Sequence, residues 1–320
     1  MIGGQRLNRA HPDRIVVCDG FAAGLALLTG VLRARGATTL AVEEYGLPSA
    51  RDTATAAGLR LAPLPVDGDG AVVEQAGQAG AVLVTPAHQF PLGAALAARR
   101  RTQLVEWARD TGGLVIEDDY DGEFRYDRQP VGALQGMAPG HVAYVGSASK
   151  TLGPALRLAW MVLPEHLVGP VAEEKKHDDF QTGVLGQLTL AEFIASHGYD
   201  KHIRAARLRY RRRRDLLISR ITHAAGIPDV TVRGVAAGLQ TLIDLPPGGP
   251  SEADVLAVAG QHGVALETLG PHWHAAGRLS GQTSEPGDHP QGLLIGFASA
   301  TERAYPVAVE ALIRVLRAVG

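Results

Sequence analysis

Tyr144-Val-Gly-Ser-Ala-Ser-Lys-Thr-Leu-Gly-Pro-Ala-Leu-Arg157 is the stretch from which the fold reads outward. It begins as a buried strand, and Ser147-Ala-Ser-Lys150 ends it. The chain's only lysines are Lys150, Lys175, Lys176 and Lys201. A lysine just beyond a buried strand is costly unless its charge is used or compensated. One reading is a Schiff-base lysine, whose amine attacks an aldehyde. Ser147, Ser149 and Arg157 would then offer hydroxyls and a guanidinium to a phosphate. The competing reading is a surface turn with a solvated lysine. Lys175, Lys176 and Lys201 fall in charged helical stretches and read as solvated.

Around this stretch, short apolar strands alternate with amphipathic helices. Strands are expected at 14–18, 38–44, 61–66, 81–85, 114–118, 141–146 and 158–163. Helices are expected at 21–35, 49–57 and 94–110. Continuous Val/Ile/Leu strands separated by helices indicate an α/β fold, with a mainly parallel sheet covered on both faces. Residues 166–224 read as successive helices, broken near 181–183 and 198. Strands at 230–233, 239–245, 264–269 and 293–297 follow, with helices at 251–261 and 302–319. This divides the chain into a large α/β domain, residues 1–200, and a smaller α+β C-terminal domain, residues 201–320. A long basic helix opens the second. Residues 275–292, rich in Gly, Ser and Pro, read as a loose segment.

Three further groups lie at presumed strand ends, the edge where open α/β sheets place ligands. Glu117-Asp-Asp-Tyr-Asp121 ends one strand. Asp118 and Tyr120 share one face, Glu117 and Asp119 the other. A buried carboxylate there would stabilise a cationic ring nitrogen, and a phenol two residues on could reach a ring oxygen. A solvated acidic loop is the plainer reading. A calcium loop nearly fits, but Arg128 stands where its closing glutamate belongs. Thr85-Pro-Ala-His-Gln-Phe-Pro91 supplies His88 and Gln89 as hydrogen-bonding groups. Gly20-Phe21-Ala22 joins a strand to a helix, whose N-terminal N–H groups could receive a phosphate. It lacks a dinucleotide fingerprint.

Other motifs carry less. Ser147-x-x-Lys150 matches the acyl-serine motif of penicillin-binding enzymes, but the companion Ser-Asp-Asn and Lys-Thr-Gly motifs are absent. His272-Trp-His274 has no metal partners at matching spacing and reads as a loop feature. The basic helix at 204–214 reads as a solvated or dimer-facing surface rather than a nucleic-acid contact. With 31 basic and 33 acidic residues, the formal charge is −2, which excludes binding of nucleic acid by bulk positive charge. At 46% hydrophobic and 20% charged residues, the chain is not of disordered type. Its one cysteine, Cys18, excludes an internal disulfide framework and suggests a reducing, cytoplasmic setting. Neither a secretory signal nor a membrane span is legible.

Three blocks together resemble a known family. Val84-Thr-Pro-Ala-His-Gln-Phe-Pro-Leu-Gly93, Ile116-Glu-Asp-Asp-Tyr-Asp-Gly-Glu-Phe-Arg-Tyr126 and the 144–157 stretch look like the aminotransferase-like domain of MocR/GabR-type regulators of the GntR superfamily. That domain is a fold-type-I relative of class I/II aminotransferases and binds pyridoxal 5'-phosphate. The resemblance implies that Lys150 forms the imine with the cofactor and that Asp118 pairs with its pyridine nitrogen. Tyr120 would reach the phenolic oxygen, with Gln89 or His88 beside it. Arg157, Ser147, Ser149 and the Gly20-Phe21-Ala22 turn would hold the phosphate. It further implies a homodimer and an amino-compound ligand sensed as an external aldimine.

The chain departs from the family pattern in several places. It shows neither the winged helix-turn-helix nor the linker, and it opens inside the aminotransferase-like part, so no direct DNA binding by this chain is expected. Leu47 stands where many relatives carry an aromatic residue or His. The late strand, Leu293-Leu-Ile-Gly-Phe297, lacks the arginine with which true aminotransferases hold a substrate carboxylate. A stand-alone aminotransferase and a cofactor-free dimerisation fragment are the alternatives.

Overall fold

The computed structural model describes residues 10–126, 131–178, 180–227, 229–274 and 290–320. The opening residues, Arg128 and most of the 275–292 stretch lie outside them.

A seven-stranded sheet forms from β1 (Ile15–Cys18), β2 (Thr39–Glu43), β3 (Arg60–Leu64), β6 (Ala81–Val84), β7 (Leu114–Asp119), β8 (Val142–Ser147) and β9 (Ala159–Val162). The ribbon β4 (Val66–Asp67) and β5 (Gly70–Ala71) stands apart. The order across the large sheet is β1-β9-β8-β7-β6-β2-β3. From β3 to β8 the pairings are parallel. β9 runs antiparallel to both β8 and β1, an exception that the expected parallel sheet did not specify. Residues 148–158, which join β8 to β9, contain only a 3-10 turn, Pro154–Leu156. A parallel return would need a crossover of a dozen or more residues. Because β9 reverses, β1 points the same way as β8. The carboxyl ends of β1, β2, β6, β7 and β8 therefore share one edge.

Both faces of this sheet are buried, which explains the unbroken apolar strands. On one side α1 (Phe21–Ala34), α2 (Pro48–Ala56) and α4 (Glu165–Asp178) cover Leu40, Val42, Leu83, Ile116 and Val145. On the other, α3 (Ala98–Thr111) brings Leu104, Val105 and Ala108 against Ala41, Val82, Val84, Val115 and Val142. The two sets alternate along each strand, as the pleat requires. α3 begins at Ala98 rather than at 94, because residues 92–97 form a link whose Leu96 N–H returns to the Pro86 carbonyl at 3.0 Å.

The remaining helices, α5 (Val184–Ala195) and α6 (Gly198–Thr222), lead to a second sheet. Its order is β10 (Thr231–Arg233), β11 (Gln240–Asp244), β13 (Gly292–Gly296), β12 (Glu267–Thr268), all antiparallel. α7 (Glu252–Gln261) and α8 (Ala304–Val319) complete this half. β12 is only two residues of the longer strand expected there. The basic helix α6 buries Tyr199, Ile203, Ala206, Tyr210, Arg213, Leu217 and Ile221 as one stripe. Its Arg213 is compensated within the fold, donating to the Phe297 and Ala298 carbonyls at 3.0 and 3.1 Å and pairing with Glu302 at 3.1 Å. Among the described residues, no helix is long and apolar enough to cross a membrane.

Candidate functional site

The shared carboxyl edge gathers the groups picked out from the sequence. Gly20 caps α1 with no side-chain cap, so the first N–H groups of that helix are open to an acceptor. Its φ of +88° suits glycine, and a Cβ there would lie 3.0 Å from the Arg157 guanidinium. Arg157 itself donates to the Asp19 carbonyl at 2.7 Å. A guanidinium and bare helical N–H groups thus meet at one point, a cradle suited to a phosphate. Phe21 and Ala22 form the first turn of α1. Ser147 ends β8, and its Oγ accepts the Ser149 N–H at 3.3 Å. Lys150 is exposed, beyond the strand end.

Asp118 sits 6% exposed near the end of β7, and its carboxylate has no hydrogen-bond partner among the described residues. Burial first, then the charges of Asp119, Asp121 and Glu43, raise its pKa well above the usual carboxylate range. Lys150 opposes that rise. A buried carboxylate with no partner suits a cation that is held in the cleft. The other two acids of the strand face away from it and are engaged. Glu117 accepts the Leu134 and Gln135 N–H groups, both at 3.0 Å, and burial raises it to about 7. Asp119 accepts the Tyr144 hydroxyl at 2.8 Å. The face assignment read from the pleat is the one observed. No cluster that could hold a metal ion occurs among the described residues.

The loop after β6 places His88 and Gln89 differently. His88 Nδ1 lies 3.0 Å from the Tyr120 hydroxyl and 2.8 Å from Asp121 Oδ2. Gln89 is spent inside the protein. Its Nε2 donates to the Tyr45 and Phe90 carbonyls at 2.8 and 2.7 Å, and its Oε1 accepts the Leu92 N–H at 3.0 Å. His88, rather than Gln89, is therefore the neighbour of Tyr120. The set fits pyridoxal phosphate at the phosphate cradle and at the lone carboxylate, and Lys150 is near enough to Asp118 for its charge to act on that carboxyl.

Comparisons with known proteins bear on the family and the fold. Residues 2–279 match the family profile "Aminotransferase class I and II". The chain belongs to the aminotransferase class I and II family. It is 36% identical over 260 residues to the uncharacterized HTH-type transcriptional regulator YdeL of Bacillus subtilis (strain 168), covering 80% of this chain and 55% of that protein. It is 29% identical over 287 residues to the HTH-type pyridoxine biosynthesis transcriptional regulator PdxR of Corynebacterium glutamicum, covering 89% and 61%. The chain thus spans little more than half the length of these relatives. Among solved structures, the Pyrococcus horikoshii kynurenine aminotransferase overlays with a TM-score of 0.82 at 24% identity, covering 99% of this chain and 78% of that one. At that identity the likeness shows the fold, a fold-type-I α/β architecture.

Within this aminotransferase-family chain, three site-edge residues received no role from the sequence. Glu43, at the end of β2, accepts from the Thr85 hydroxyl at 2.6 Å and from Gln89 Nε2 at 3.3 Å. An acid closing an apolar strand was its only signal, the same signal that marked Asp118. Asp121 was visible only as one more member of an acidic run. Gly238, which enters β11, gave no signal, because its closeness to His88 is purely tertiary. The 270–274 segment also packs here. His272 is buried and lies edge-on to Phe90 at 5.0 Å, and its carbonyl accepts the Gly46 N–H at 3.0 Å.

Proposed function

We propose that this edge binds pyridoxal 5'-phosphate and an amino compound, and that the chain is the ligand-sensing part of a transcriptional regulator. The observation that carries the reading is the convergence of Lys150, the unpartnered buried Asp118 and the Gly20–Arg157 cradle on one sheet edge. The bound cofactor supplies an aldehyde that condenses with amines and a ring that withdraws electrons when its nitrogen is protonated. Asp118 keeps a proton on that nitrogen by placing a negative charge beside it. Gly20, Arg157, Ser147 and Ser149 hold the phosphate. Tyr120, with His88 behind it, donates to the ring's oxygen. Lys150 would be the amine that condenses with that aldehyde, and its Nζ would hold a proton whenever it is free of the cofactor.

Sensing rather than turnover is supported by β13. It carries Leu293, Leu294 and Ile295 where an arginine would hold a substrate carboxylate, and Leu293 and Leu294 are buried. The names of the curated relatives support regulation of transcription. A homodimer is supported by the apolar surface of Phe180, Leu185 and Leu188, which are 77%, 80% and 62% exposed. DNA contact would fall outside this chain, and the reading places the protein in the cytoplasm.

The test is an absorption titration with pyridoxal phosphate, comparing the wild type with Lys150→Ala. A visible band that borohydride fixes, seen only with Lys150, is the expected result. Identical spectra for the two proteins would refute the cofactor reading. Adding amines to the loaded protein and assaying for keto product then separates a sensor from a transaminase.

A further inference from the structure

The pair formed by His88 and Asp121 is sealed from solvent and lies behind the residue expected to address the cofactor ring. His88 is 4% exposed and Asp121 2%. An ionised carboxylate only accepts hydrogen bonds. The 2.8 Å contact between Asp121 Oδ2 and His88 Nδ1 therefore requires a hydrogen on Nδ1, whether the ring is neutral or protonated. That same Nδ1 lies 3.0 Å from the Tyr120 oxygen. That nitrogen carries a single hydrogen and has no lone pair left to accept one, so the phenol oxygen shares, as a second acceptor, the hydrogen directed at Asp121. The phenol's own hydrogen is then left to Asp121, with which Tyr120 also makes a side-chain hydrogen bond, or to an acceptor that enters the cleft and takes it over.

The pair is closely packed by two glycines. Gly238, at φ +80°, lies so close that a Cβ would overlap His88 Cε1 and stand 2.7 Å from Asp121 Oδ2. A Cβ at Gly93 would be 3.4 Å from His88 Nε2. Tyr126 and Phe124 fix Gly238 in turn, through its carbonyl and its N–H.

We propose that Asp121 is a positioning residue: by holding a hydrogen on His88 Nδ1 it fixes the Tyr120 oxygen and releases the Tyr120 hydroxyl hydrogen to a negatively charged oxygen bound in the cleft. The identity of that oxygen, the ring phenolate of pyridoxal phosphate, rests on the function proposed above. The hold of Asp121 on His88 does not.

The experiment has two arms. In the first, nitrogen NMR of histidine-labelled wild-type chain without cofactor reads the state of His88. A proton on Nδ1, lost in Asp121→Asn, is expected. A bare Nδ1 in the wild type overturns the proposal, and this arm needs neither a variant that folds nor a bound cofactor. In the second, the pH midpoint of the visible band is measured in the loaded wild type, Asp121→Asn, Tyr120→Phe and the double variant. Losing a donor to the phenolate raises that midpoint, by about one pH unit for a hydrogen bond to a charged group. Both single variants should raise it, and the double variant should match Tyr120→Phe alone, because Asp121 acts through the phenol. Additive shifts would overturn the proposal. Absence of any visible band in the wild type would instead count against the cofactor reading, with the first arm still deciding the role of Asp121 toward His88.

Discussion

Glu43→Gln gives a sharp test of the buried electrostatics. Glu43 is 7% exposed, and three donors converge on its Oε2: the Thr85 N–H at 3.2 Å, the Thr85 hydroxyl at 2.6 Å and Gln89 Nε2 at 3.3 Å. Those donors favour the carboxylate, but burial outweighs them and raises its pKa from 4.5 to about 7. Between these two values the native state holds a proton that the unfolded chain has lost. The native state binds more protons, so stability is full below pH 4.5 and falls as pH rises through 7. At about 1.4 kcal/mol per pH unit, the loss attributable to this one group reaches about 3 kcal/mol. A glutamine keeps an oxygen for the Thr85 donors and carries no charge at any pH. In urea unfolding of the cofactor-free chain, Glu43→Gln should match the wild type within about 1 kcal/mol at pH 5. At pH 8 it should be more stable by up to about 3 kcal/mol, with unchanged m-values. An equal difference at the two pH values would show that Glu43 does not titrate in this window. A variant less stable at pH 8 would show that the Thr85 and Gln89 hydrogen bonds outweigh burial.

Gly20→Ala, which forces a Cβ to within 3.0 Å of the Arg157 guanidinium at φ +88°, should weaken pyridoxal phosphate binding about tenfold or more while leaving the circular dichroism spectrum unchanged; unaltered affinity would remove Gly20 from the phosphate cradle. Arg213→Ala removes two donors to buried carbonyls and a cation 5.1 Å over the Tyr305 ring, and should cost about 2–4 kcal/mol in denaturant unfolding. Ser251→Ala breaks a reciprocal capping box with Asp254 at the start of α7 and should cost about 1 kcal/mol. Leu28→Ala, at a fully buried position between α1 and the large sheet, should cost about 2–5 kcal/mol; a loss below 1 kcal/mol would mean that the site collapses to fill the cavity.

Much of the fold was legible because burial on both faces leaves a local mark. β6, β7 and β8 read as unbroken apolar runs, and their ends carried the acids, histidine and lysine of the candidate site. The pleat alone separated Asp118 and Tyr120 from Glu117 and Asp119. Helix starts also sat close to where they were read, with α1 beginning at Phe21 and α7 at Glu252. Other features depend on partners far along the chain. The reversal of β9 follows from the length of its connection, which composition does not reveal. Gln89 and His88 are adjacent in sequence with similar chemistry, yet one is consumed by Tyr45, Phe90 and Leu92 and the other turns to Tyr120. That division rests on which backbone groups the folded loop brings within 3 Å.

The sequence by itself thus determined the α/β class, the family and the edge on which chemistry gathers, because strand burial, helix punctuation and motif order are written locally. Tertiary structure alone decided which polar groups remain open for a ligand. Asp118 is left without a partner, Asp121 is committed to His88, and Gly238 closes over that pair from more than a hundred residues away. Whether a polar group is satisfied is a property of its surroundings, and those surroundings come from segments that meet only when the chain has folded.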